Sequence, residues 1–297
     1  MKVLLIALEN TLDYTVPLLE ADGHNVRLLT HCRGIPLMLA LPECKAYVLE
    51  QIADFVPDLV INAITTIVLP TSSDYTYLGN NWVSARLETH KWETREKAAS
   101  LGWSLPTVLE ECTLNTHSSH PSTTYLKAKG RNILNGAVQV PVNTVYNDAF
   151  PKGVPAYVEA DLDYAVGAYC MFTIANGSYH ITRIMGWSPD SAGNTKSIES
   201  DGDWTSTYTS VELTSSASAA FLAKCTAWLD YVVTLGGNYS GDIGGGITAS
   251  NEVFWFEQNS RPSQYAESFT SGTIQDWIDG LSTDPTKSPP ITYKTET

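Results

Sequence analysis

Three short apolar runs near the N-terminus set the first limit on the fold: KVLLIAL at residues 2–8, NVRLLT at 25–30 and DLVINA at 58–63. Each has strand length and is too short for an ordinary helix. Between them lie segments that read as helices, one running to Leu19 and one over residues 43–55, with Gly23 as punctuation. Strands separated by helices need crossover connections, so they lie parallel in a sheet that the helices cover. The expectation is a small open α/β unit over residues 1–80. It lacks the G-x-G-x-x-G turn of a dinucleotide site.

The C-terminal half has a different pattern. AAFLAKCTAWLDYVVTL, residues 219–235, carries Phe221, Cys225, Trp228, Val232 and Leu235 at helical spacing and stops at Gly236 and Gly237. Upstream, YCMFTI and YHITRI flank Asn176 and Gly177, a hairpin signal. Downstream, YSGDIGGGITAS and VFWFEQN read as antiparallel strands turning at Asn251 and Glu252. Residues 81–101 read as one amphipathic helix closed by Gly102. Strands over 107–112, 125–129 and 156–162, with VQVPV, predict a small β-rich unit. The expected divisions are residues 1–80, 81–160 and 161–281, followed by a flexible, proline-rich tail at 282–297. Residues 190–218 form a long polar excursion.

Composition removes several classes of function. With 43% hydrophobic and 17% charged residues among 297, the chain is an ordinary folded protein. A net charge of −14 argues against a nucleic-acid backbone as partner, because that contact needs clustered Lys and Arg. No apolar run has the length of a membrane span, and the N-terminal run ends at Glu9 without a cleavage pattern. The five cysteines are scattered, with no C-x-x-C pair, which points to a reducing cytoplasm rather than a disulfide framework or a zinc site. Oligomeric state has no signature. His117 and His120 have no third ligand nearby and read as part of a polar loop.

The chemistry concentrates in VFWFEQNSRP. Glu257, Asn259 and Arg261 occupy alternate positions, so an extended strand projects a carboxylate, an amide oxygen and a guanidinium from one side. Hard oxygen donors suit Mg²⁺, and the guanidinium fork suits phosphate. Asp242, on the neighbouring strand, is placed to share the metal. A strand end running into a polar turn explains the same triplet. Lys127, before a loop with Gly130 and Gly136, fits a cover over phosphate, and equally an exposed hairpin. Lys91 reads as a solvated helical charge, and Arg183 as either a cleft cation or an edge charge.

Taken in order, these features resemble the ATP-grasp superfamily, most closely the phosphoribosylglycinamide synthetase branch of carboxylate–amine ligases. The resemblance runs from the N-terminal unit to about Phe269. It rests on YLGNNWVSARLETHKWETREKAASLGWSLP, YLKAKG, AYVEADL, and the run from the 219–235 helix through TLGGNYSGDI to FEQNSRP. It implies an α/β (α+β) fold with an N-terminal open α/β unit, a small β-rich lid and a C-terminal antiparallel sheet with helices. It also implies that Lys91 and Lys127 bind ATP phosphates and that the backbone of Glu159, Ala160 and Leu162 holds adenine. Many members carry a ribose-binding acid where this chain has Ala165 and Val166, which leaves Asp163 or Glu159 for that role. Asp242, Glu257 and Asn259 would hold Mg²⁺ or Mn²⁺, with Arg261 and Arg183 at the transferring phosphate. The implied activity is ADP-forming ligation of a small carboxylic acid, such as an amino acid, to an amine, with purine biosynthesis as the default pathway. The alternative is an ATP-binding protein of this fold without ligase activity.

Overall fold

The computed structural model describes residues 1–7, 15–30, 42–64, 67–70, 72–79, 81–130, 138–146, 152–175, 177–188, 209–261 and 292–293. The N-terminal strands β1 (Lys2–Ala7), β2 (Asn25–Thr30), β3 (Leu59–Asn62) and β4 (Thr76–Leu78) form one parallel sheet in the order β2-β1-β3-β4. After the exposed Lys2, strand β1 is apolar because both of its faces are covered. Val3, Leu5 and Ala7 pack with Leu19 of α1 (Thr15–Ala21), while Leu4 and Ile6 pack with Cys44, Val48 and Phe55 of α2 (Pro42–Phe55).

The segment expected as one helix over 81–101 is two, α3 (Trp82–Thr89) and α4 (Lys91–Ser100). Asn81 starts the first with a capping box: its side chain accepts from Ser84 N at 2.7 Å, and Ser84 Oγ accepts from Asn81 N at 3.0 Å. His90, at φ −106° and ψ 67°, leaves helical geometry and turns the chain. Thr94 Oγ1 then donates to Leu87 O at 2.8 Å and ties the two helices together. Lys91 therefore opens a helix rather than sitting inside one.

A second sheet has the order β5-β8-β6-β7, from β5 (Val108–Thr113), β6 (Thr124–Ala128), β7 (Val138–Val140) and β8 (Pro155–Ala160), all antiparallel. Leu126, Ala128, Ala156 and Val158 form a core on one face with Leu114 and Val140. Strict alternation sends Tyr125, Lys127, Tyr157 and Glu159 to the other face. Of the glycine loop after Lys127, Gly130 is described, while Asn135 and Gly136 lie outside the described residues.

The third sheet is the largest, in the order β11-β10-β9-β12-β13, from β9 (Val166–Ala175), β10 (Ser178–Ser188), β11 (Thr209–Val211), β12 (Tyr239–Ile247) and β13 (Val253–Asn259). All neighbours in that order are antiparallel. Helix α5 (Ser215–Val233) lays Phe221, Cys225, Trp228 and Val232 on this sheet, each fully buried. It starts earlier than the apolar run suggested, because Thr214 Oγ1 accepts from Ala217 N at 3.2 Å as its N-cap. Within the tail, Thr292–Tyr293 form a short strand, β14, parallel to Arg183 and Ile184 of β10. Among the described residues no helix is long and apolar enough to cross a membrane.

Candidate functional site

Strand β13 does not alternate evenly. Gly244 pairs with Glu257 and Gly245 with Trp255, so Phe256 is an extra residue in a β-bulge. The bulge decides where the charges go. Val253 and Trp255 face the α5 core, and even alternation would send Glu257 and Asn259 after them. The extra residue shifts the phase, so Gln258 and Ser260 are buried while Glu257 and Asn259 turn to the opposite face. Gln258 meets the core with hydrogen bonds: it accepts from Trp228 Nε1 and donates to Ser260 Oγ at 2.9 Å.

Asp242 lies opposite Asn259 in the register, and Asn259 Nδ2 donates to Asp242 Oδ1 at 2.9 Å. The expected set of Asp242, Glu257 and Asn259 is thus brought together on one face. Two glycines of β12 allow the close fit. A Cβ on Gly241 would stand 2.3 Å from Asn259 O, and one on Gly244 would stand 2.9 Å from the Tyr169 ring, beside Glu257.

The helix pair supplies a cation, Lys91, and an anion, Glu88. Lys91 Nζ lies 3.4 Å from Glu257 Oε2. One turn before it, the buried Glu88 accepts from Arg261 Nε at 2.9 Å and from Ser260 N at 3.0 Å. Burial opposes the charge on Arg261, but Glu88, Asp242 and Glu257 outweigh it and raise its pKa. From the second sheet, Lys127 Nζ lies 2.6 Å from Glu159 Oε2, whose other oxygen accepts from Arg95 Nε at 2.8 Å. Burial works against the Lys127 charge as well, and Glu159, Tyr157 and Glu257 override it and raise its pKa. Tyr157, buried beside this pair, has its phenol pushed up to about 12 by desolvation, with Lys127 opposing and Glu159 adding. Trp92 packs edge-on to Tyr157 at 5.0 Å and sets α4 on the sheet.

The remaining expected residues lie on other segments. Ala160 ends β8 and donates its N–H to Thr107 O at 2.9 Å. Leu162 is half-buried and Asp163 exposed in the segment that follows. The Glu159 carboxylate points between Lys127 and Arg95, away from solvent. Arg183 lies in β10 opposite Met171, and its side chain is outside the described residues. Glu88 and Arg95 were not singled out in the sequence, because a charge on an amphipathic helix reads as solvated. The signal available was position, three residues before and four after Lys91.

Among the described residues no group of three or more His, Cys, Asp and Glu side chains converges as a metal centre. The oxygen set here has two carboxylates and one amide. No family model and no curated protein matches the chain. Solved structures do match. Phosphoribosylamine–glycine ligase from Thermotoga maritima superposes with a TM-score of 0.64 at 12% identity, covering 95% of this chain and 75% of that one. Carboxyaminoimidazole ribonucleotide synthase from Aspergillus clavatus, complexed with ATP, gives 0.61 at 12% identity, covering 97% and 78%. L-amino acid ligase from Bacillus licheniformis gives 0.58 at 14% identity over 88% of this chain, which spans 66%, about two thirds, of that enzyme. These neighbours are ATP-grasp ligases, and the chain has the ATP-grasp fold.

Proposed function

We propose that this chain is an ATP-dependent ligase that activates a small carboxylic acid, such as an amino acid, as its acyl phosphate and joins it to an amine. The observation that carries this reading is the convergence of Asp242, Glu257 and Asn259 with Lys91, Lys127 and Arg261, drawn from three separate parts of the fold. The all-oxygen donor set fits Mg²⁺ or Mn²⁺, with phosphate oxygens and water completing the shell. When bound, a metal held by Asp242, Glu257 and Asn259 would supply positive charge to offset the charge that develops in transfer.

The residues of the chain do the positioning. Lys91 and Lys127 hold the α- and β-phosphates, Lys91 exchanging Glu257 for phosphate oxygen and Lys127 binding while Glu159 holds it in place. Backbone groups over residues 159–162 hold adenine, and Asp163 is the exposed acid for the ribose. Arg261 faces the γ-phosphate, and Arg183 is the second arginine assigned to that phosphate. A carboxylate oxygen attacks the γ-phosphorus as the bond to ADP breaks. The amine nitrogen then attacks the acyl carbon, inorganic phosphate leaves with the carbon–oxygen bond pair, and the amine proton passes to solvent. Residues 81–160 serve as the lid and 161–281 as the metal-bearing part. The amino-acid ligase and the purine-precursor enzymes among the neighbours are both compatible with this site, and purine-precursor synthesis is one placement. The free thiols of Cys44, Cys112, Cys170 and Cys225 fit a reducing cytoplasm.

The test is ADP release from Mg·ATP across a panel of amino acids and amines, after a thermal-shift screen with Mg·ATP. ADP and phosphate should appear only when both an acid and an amine are present, whereas AMP and pyrophosphate would refute the acyl-phosphate scheme. Arg261→Ala should lower turnover by roughly 10²–10³-fold, and near-normal turnover removes its role. A second reading, a nucleotide binder without ligation, draws on one observation: Lys91, Lys127 and Arg261 each already hold a carboxylate. Mg·ATP binding without ADP release over the whole panel would favour it.

A further inference from the structure

Arg261 stands among three acids. Glu88 accepts from its Nε at 2.9 Å, and Asp242 and Glu257 lie close enough to act on its charge. Two of these acids belong to the oxygen set that fits a divalent cation. A guanidinium that turned onto them would neutralise the carboxylates that the cation requires and would surrender its own fork to them. Glu88 comes from a different element, α3, and has a side chain only 4% exposed. Its Oε2 accepts from Ser260 N at 3.0 Å, which fixes that carboxylate against the end of β13.

Docking of α3 onto β13 does not by itself call for a charge at this position. Ser260 Oγ already donates to Ser84 O at 2.8 Å and accepts from Gln258 Nε2 at 2.9 Å, so neutral groups secure the strand end. The carboxylate adds a fixed anion at Nε of Arg261, and it is none of the oxygen donors expected at the metal. With Nε committed there, the two Nη groups form the end of the fork that meets a phosphate.

We propose that Glu88 is a positioning residue that holds Arg261 off Asp242 and Glu257, so that one arginine serves the transferring phosphate while both acids remain with the metal. The proposal rests on the ligase reading of the site. Glu88 touches no reacting atom and acts through Arg261. The same acid stands three residues before Lys91, so the turn at His90 sets the cation on Glu257 and the anion on Arg261 from one short segment.

The experiment is a set of four proteins, the wild type, Glu88→Gln, Arg261→Gln and the double variant, with Mn²⁺ binding followed by electron paramagnetic resonance in the presence of ADP. Glu88→Gln keeps the shape of the side chain and removes the anion, so Arg261 turns to Asp242 and Glu257. Mn²⁺ affinity should fall by roughly 10-fold, and the double variant should recover the affinity of Arg261→Gln, because the arginine that competes with the metal is gone. Equal weakening by Glu88→Gln with and without Arg261 would show a structural role only and overturn the proposal, as would no weakening. If the wild type binds no Mn²⁺ with ADP, the ligase reading fails, and the hold on Arg261 is read without ligand. Selective ¹⁵N-arginine labelling gives the Arg261 Nε–H signal, assigned by its loss in Arg261→Lys. Its solvent exchange should rise in Glu88→Gln, and an unchanged rate overturns the proposal independently of any activity.

Discussion

Two lysine–glutamate pairs stand in this site, and they are built differently. Lys127 and Glu159 are 2.6 Å apart with side chains 12% and 4% exposed, and Arg95 takes the second oxygen of Glu159. Lys91 and Glu257 are 3.4 Å apart, and the Glu257 side chain is 30% exposed. The first is a closed pair on two strands, β6 and β8, that pair with each other without interruption. Its carboxylate fixes the position of a lysine and is shielded from solvent. The second is a loose pair at the end of a bulged strand, where the carboxylate is accessible to a new partner. The same two residue types therefore do separate work, and burial determines which.

The strongest way to break this comparison is to change the phase of β13. Deleting Gln258 drives Glu257 or Asn259 into the core beneath Trp228 and removes the buried amide that Trp228 and Ser260 use, so the large sheet should fail to fold. Deleting Phe256 instead leaves every other pair in register, because that residue has no partner on β12. That variant should keep its far-ultraviolet circular dichroism and a cooperative melt. If both deletions unfold the protein alike, the bulge does not set the faces.

A smaller effect separates the two pairs directly. Glu159→Ala leaves two buried cations without their anion and should cost about 3–5 kcal/mol in chemical denaturation. Glu257→Ala removes half of a part-exposed pair and should cost about 1 kcal/mol or less. Equal losses would erase the distinction between a structural carboxylate and an available one.

Much of this was legible in the sequence, for physical reasons that can be named. The parallel N-terminal sheet followed from three apolar runs whose strands are buried on both faces. The α5 helix and the β9–β10 hairpin followed from periodicity and from Asn176-Gly177. Asp242, Glu257 and Asn259 were grouped by alternation, yet even alternation would also have put Trp255 with them. Only the pairing of Glu257 and Trp255 with two successive glycines, which leaves Phe256 over, resolves that conflict, and pairing is a long-range property. The break at His90 carries no proline or glycine to announce it. Glu88, Arg95 and the inward direction of Glu159 depend on which surfaces meet, which a helix pattern alone does not state.

The central claim is that Glu257 is the carboxylate that passes from Lys91 to a metal–nucleotide complex. It is tested most directly by isothermal titration of ATP into the wild type and Glu257→Gln, each with and without Mg²⁺. The account predicts that the wild type binds ATP at least about 10-fold more tightly with Mg²⁺ and that Glu257→Gln loses this dependence while remaining folded. ATP binding with the same Mg²⁺ dependence in both proteins would contradict it.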